Sequence, residues 1–228
     1  MTVESISVQV LWGPRPEDAD ALAARWRATR LALAGLHPLL GAWFVHDGET
    51  DVPVADEPEE SLVADGDLGG GAGFRFAAYA GQDAPQQIHF NGTGGLRAPL
   101  TGQLNVALVK LEPVTTDEFR AWLPLLGDIL AALAQAWRPD VGHAGTFRMR
   151  QAQRPAPREP WTGYVTYLCR ARTAHVPADL AGTGRPAAGG GLILPAATSP
   201  DAVDLGRRLR DAGAFEPVPA DREHWSPG

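Results

Sequence analysis

Twice along this chain, apolar residues that recur at every second position give way, across a proline, to apolar residues that recur every three or four. Ile6, Val8, Val10 and Trp12 alternate with Ser5, Ser7, Gln9 and Leu11, the pattern of a strand with one buried face. Pro14 and Pro16 end the run. Glu17, Asp18 and Asp20 follow, where the first turn of a helix favours negative charge. Leu22, Trp26, Thr29, Leu33 and Leu36 then fall on one helical face, which Gly35 and Pro38 bring to an end. Residues 104–111 alternate again. Thr116 is placed to cap a second helix, with Asp117 and Glu118 in its first turn. Its apolar set is Phe119, Trp122, Leu123, Leu126, Ile129, Leu130, Leu133 and Trp137, and Pro124 predicts a kink or a later start. The two units echo each other without shared residue identity, so they do not establish a repeat.

Around these units the pattern predicts a short helical turn over 38–44 and strands over 74–79, 86–90, 145–149, 164–169 and 192–194. A final helix runs from Pro200 to about Ala212, introduced by Ser199 and ended by Gly213. Residues 151–160 and 177–190 read as connections. One-sided strands need helices on their buried face, so the fold class is α+β. It is a largely antiparallel sheet covered by two long helices and a shorter C-terminal one. A chain of 228 residues suits a single domain, 1–228, with its own core.

Charge is distributed unevenly. Asp47, Glu49, Asp51, Asp56, Glu57, Glu59, Glu60, Asp65 and Asp67 form a run with no Lys or Arg among them. The rest of the chain holds 18 acids against 20 bases, so the net charge of −7 is a local property. With Pro53, Pro58 and few large apolar residues, the segment at about 47–71 reads as a long acidic loop or a partly ordered insertion. Its alternatives are a contact surface for a basic partner and a solvated loop. The opposite bias appears later: Arg148, Arg150, Arg154, Arg158, Arg170 and Arg172 face only Glu159 in sequence. That stretch suits either a phosphate or acidic partner, or pairing within the molecule. The overall balance argues against a general nucleic-acid binder.

Few catalytic patterns fit. Lys110 is the single lysine, so no Gly-Lys-Ser/Thr phosphate loop exists, and the glycine clusters read as turns. His37, His46, His89, His143, His175 and His224 include no helical i, i+4 pair and no His-x-His, leaving convergence in space as the route to a site. Gly163-Tyr164-Val165 lacks the serine of a nucleophile elbow. Cys169, in an apolar strand pattern, reads as an inert buried thiol, and as the sole cysteine it excludes an internal disulfide. Trp12, Trp26, Trp43, Trp122 and Trp137 read as core, whereas Trp161 and Trp225 fall in irregular segments where exposure is expected. The first twelve residues alternate and carry no basic stretch, so they read as a strand and not as a secretory signal.

Three blocks together resemble the immunity protein 52 family of bacterial polymorphic toxin systems. They are Trp12-Gly13-Pro14-Arg15-Pro16-Glu17 with the following helix, Leu36-His37-Pro38-Leu39 and Trp43; the central helix ending in Trp137-Arg138-Pro139-Asp140; and Trp161-Thr162-Gly163-Tyr164-Val165-Thr166-Tyr167-Leu168. The resemblance implies a cytoplasmic binding protein with no catalysis and no cofactor, which neutralises a cognate toxin, a basic nuclease domain in the expected case. It implies no direct nucleic-acid or membrane partner. Under it, the nine acids of 47–67 become the candidate partner-binding residues. The alternatives are an adaptor of a secretion apparatus and a small enzyme whose groups converge only in three dimensions.

Overall fold

The computed structural model describes residues 3–46, 50–54, 59–64, 66–69, 73–82, 84–96 and 103–219, without the side chains of 60–62. Among these residues, ten strands form one sheet: β1 (Ile6–Trp12), β2 (Trp43–His46), β3 (Asp51–Pro53), β4 (Phe74–Ala80), β5 (Gln87–Gly94), β6 (Asn105–Glu112), β7 (Val141–Thr146), β8 (Val165–Leu168), β9 (Arg185–Ala187) and β10 (Gly191–Pro195). Their order is β3-β2-β4-β5-β6-β1-β7-β8-β10-β9, and every described pairing is antiparallel. The α+β class with a large antiparallel sheet is as the hydrophobic periods require.

Helix α1 (Ala19–Ala34) and the pair α3 (Thr116–Trp122) and α4 (Leu126–Trp137) supply the packing over one sheet face. Asp18 caps α1 by accepting from the Ala21 amide at 2.9 Å. Thr115, one residue before the expected Thr116, caps α3 in a reciprocal box with Glu118. Pro124 does not kink one long helix. It sits in a 3-10 turn, 123–125, that separates α3 from α4.

Tryptophans fill the space between. Trp12 stacks on Trp137 at 5.4 Å, and Trp26 lies 4.1 Å from Phe90 and 5.4 Å from Trp43. The Trp137 indole donates to Thr29 Oγ1 at 2.9 Å, joining α4 to α1 inside the core. The first two family-like blocks also meet. Asp140 accepts from the Gly13 amide, and Arg15 and Arg25 donate to the Trp137 and Ala136 carbonyls at the end of α4. Glu17 pairs with both arginines.

Burial alternates along β1, β5 and β6, so their second face is partly open. All six residues of β7 are buried. Here, after the one-turn helices α6 (Arg170–Thr173) and α7 (Ala178–Ala181), α8 (Ser199–Asp211) and the segment to Val218 cover the second face, packing Leu205, Leu209, Phe215 and Val218 against Val141, Leu168 and Leu194. The sheet is thus covered on one side at β4–β1 and on both sides at β7, β8 and β10, while the edge strand β9 stays largely exposed.

Five expectations need correction. The strand expected over 145–149 is β7 four residues earlier, and Phe147–Gln153 is helix α5. Val141-Gly142-His143-Ala144-Gly145-Thr146 shows no alternation because both faces are covered closely. A Cβ on Gly142 would lie 2.8 Å from a Val10 methyl and 2.9 Å from a Leu130 methyl. The turn over 38–44 is a 3-10 turn at Pro38–Leu40 followed by β2. Trp161 is buried, not exposed, its ring 3.9 Å from that of His143. Residues 177–190, expected as a connection, hold the short helix α7 (Ala178–Ala181) and the edge strand β9. The acidic segment, read as a loop or a partly ordered insertion, contributes β3 and helix α2 (Glu59–Ala64).

Candidate functional site

The acidic segment is attached to the body by its few apolar residues and by one of its acids. Val54 and Val63 are buried in the main core. Glu59, at 3% exposure, is buried against α1, where it takes Arg27 and Arg30; the Arg30 contact is 2.5 Å. A carboxylate can be taken out of water in this way only because two guanidiniums replace its hydration. Glu59 is therefore an anchor and not a free contact residue, which corrects its placement among solvent-facing acids.

Asp51 and Asp67 do face solvent. Asp51 lies on β3, cross-strand from His46, whose Nδ1 is 3.0 Å from its Oδ1. Gln82 approaches the other oxygen at 3.4 Å. Tyr79 on β4, across β2 from Asp51, has its hydroxyl pushed up to about 12, by burial first and then by the Asp51 carboxylate. Asp67 makes an isolated bridge to Phe74 and accepts from the Gly69 amide at 2.9 Å. Gly66 next to it is required by close approach, because a Cβ there would meet the Arg75 carbonyl oxygen at 1.7 Å. Asp47, Glu49, Asp56, Glu57 and Asp65 lie outside the described residues, as does the side chain of Glu60.

The histidines are dispersed. His37 caps the 3-10 turn through the Leu39 amide and packs on Trp122. His89 reaches Glu112 at 3.5 Å, and Lys110 beside Glu112 holds that carboxyl below its usual range, His89 adding to the effect. His143 is fully buried with neither ring nitrogen partnered, and burial first, then the Arg150 charge, pushes it down to about 3. His89 and His143 stand three strands apart, about 14 Å at the usual interstrand spacing. His175 is exposed; His224, like Trp225, lies outside the described residues. Among the described residues no three of His, Cys, Asp and Glu come together as a metal site would need. No described helix is long and apolar enough to cross a membrane.

The arginine-rich stretch divides. Arg172 donates to the Ala214 and Glu216 carbonyls and Arg158 to Val218, so both hold the segment after α8. Arg148 meets Glu4, while Arg150, Arg154 and Arg170 are exposed and have no ion pair among the described residues. Periodicity carried no signal for this division, since the partners lie tens of residues away.

No family model matches the chain, and no curated protein does either. Among solved structures it is similar to "Pseudomonas aeruginosa T6SS protein PA0821", at 12% identity over 96% of this chain and 76% of that chain, with a TM-score of 0.49. So loose a likeness carries no functional argument.

Proposed function

We propose that this chain is a cytoplasmic immunity protein, of the kind its three sequence blocks resemble, that binds and neutralises a toxin domain with a basic surface. The observation that carries the reading is the anchoring of the acidic segment. Glu59, Val54 and Val63 tie it to α1 and the core, while Asp51 and Asp67 stay in water. Charges held on a folded edge act on a partner without first being ordered, which keeps the entropic cost of docking low. A nuclease needs a basic groove to hold phosphate, and an acidic edge competes for that groove and steers encounter. In this reading the protein acts by occupation and performs no reaction.

The test is co-expression with the toxin domain encoded beside it. Restored growth is the expected result; continued killing with this chain present in equal or greater amount overturns the proposal. In stopped-flow mixing at low salt, neutralising Asp51, Asp56, Glu57 and Asp67 together is expected to slow association more than it speeds dissociation. An unchanged association rate removes the acidic edge from the interface. Recovery of a secretion-apparatus component as the stable partner, with no toxin bound, favours the adaptor reading instead.

A further inference from the structure

A groove runs along the open second face of the sheet, where α5 and the 154–161 connection rise beside β1. One part, about 440 Å³, has Gln9, Leu11 and Leu104 on its floor and Arg158 and Trp161 on its wall. The adjoining part, about 580 Å³, is lined by Phe147, Gln151 and Arg154. Arg150 and Pro155 line both, so the two parts are continuous.

The charge of this groove is one-sided. Its acid, Glu159, is taken up by Arg210 at 2.5 Å. Arg158 donates to a backbone carbonyl, which leaves its own charge uncompensated. Arg150 and Arg154 have no ion pair among the described residues. Beside them Phe147 is 60% exposed, a large apolar surface next to unpaired guanidiniums. The ring of Trp161 in the wall lies 3.9 Å from that of fully buried His143, tilted by 41°, and both nitrogens of that histidine are unsatisfied. Unpaired forks flanking an apolar surface suit carboxylates separated by an apolar side chain, because a guanidinium binds a carboxylate through two parallel hydrogen bonds.

We propose that this groove binds a short acidic–apolar segment of a partner protein, with carboxylates on Arg150 and Arg154 and an apolar side chain against Phe147 and Pro155. A nucleic-acid strand fits less well. Leu11 and Leu104 on the floor offer nothing to a continuous row of phosphates, whereas they suit an apolar side chain between two carboxylates. The site is independent of the acidic edge on β3, six strand spacings from β7. Its success or failure therefore leaves the toxin-neutralising reading untouched.

The experiment is fluorescence anisotropy with the full chain and a labelled Asp-Phe-Glu-Asp-Leu-Glu peptide. Its amide counterpart, Asn-Phe-Gln-Asn-Leu-Gln, and a short single-stranded oligonucleotide serve as competing probes. Saturable binding of the acidic peptide is expected, with little binding of the amide peptide. Arg150→Gln and Arg154→Asn are each expected to weaken it roughly tenfold. Asn is chosen at Arg154 because that position has φ +46°, which Asn tolerates. Phe147→Ser, an exposed change, is expected to weaken it several-fold. The proposal is overturned if the peptide does not saturate, if all three variants bind as the wild type does, or if the oligonucleotide binds as tightly. It is overturned equally if deleting the residues after Val218 tightens binding, which would assign the groove to this chain's own C-terminal segment.

Discussion

Glu59 and Arg30 meet at 2.5 Å, with the carboxylate side chain 4% exposed and the guanidinium 18%. An acid that sequence groups with eight others on a solvated segment is thereby spent inside the fold. Glu59→Gln is expected to destabilise the protein by about 2–3 kcal/mol, less than a fully buried pair because Arg27 stays half-exposed. Asp67→Asn is expected to change stability by less than about 0.5 kcal/mol. Urea unfolding of the two variants measures the difference; equal midpoints would show that Glu59 is not an anchor.

His143 makes stability depend on pH in one direction. Its folded value of about 3 lies below the ordinary value of about 6.5, so in that interval the unfolded chain binds a proton the folded one does not. The stability is full above about pH 6.5 and is lost as pH falls toward 3, at up to about 1.4 kcal/mol per pH unit. His143→Leu is expected to flatten this slope between pH 7 and pH 5, without loss of stability at pH 7, since it also removes two unsatisfied nitrogens. Parallel slopes in variant and wild type would contradict this assignment.

The hydrogen bond from Trp137 to Thr29 is fully buried at both ends. Thr29→Val keeps the shape and strands the indole N–H, which costs about 1–3 kcal/mol. A double-mutant cycle with Trp137→Phe reads the coupling. Additive losses would mean that the contact is only packing.

Gly163 stands where a Cβ would come within 2.0 Å of the Ala144 carbonyl oxygen. Gly163→Ala must therefore push apart the connection carrying Trp161 and the strand carrying His143. A loss above about 2 kcal/mol is expected, with a change in tryptophan fluorescence as Trp161 shifts. A variant that melts with the wild type would show that this approach relaxes without cost.

How much of this was legible depended on where each residue's determining neighbours lie. β1, β4, β5, β6 and the long helices declared themselves because each has one wet face and one dry one. Five tryptophans were assigned to the core by the same argument, and all five are buried. β7 was displaced by several residues because it is dry on both faces and built from small residues, so no period marks it. Trp161 looked exposed for want of a surrounding element, and α8 with the Thr162 contact to Ala202 supplies that cover from forty residues away.

The sequence by itself determined the α+β class, the pairing of strands with amphipathic helices and the concentration of acid in one segment, because period and composition are properties of neighbouring residues. Tertiary structure decided which charges remain available. Glu59 is consumed by arginines on α1, Arg158 and Arg172 are consumed by backbone after α8, and Arg150 and Arg154 are left facing a groove. The reason is physical: burying a charge requires a partner, and that partner is brought by the fold from distant sequence.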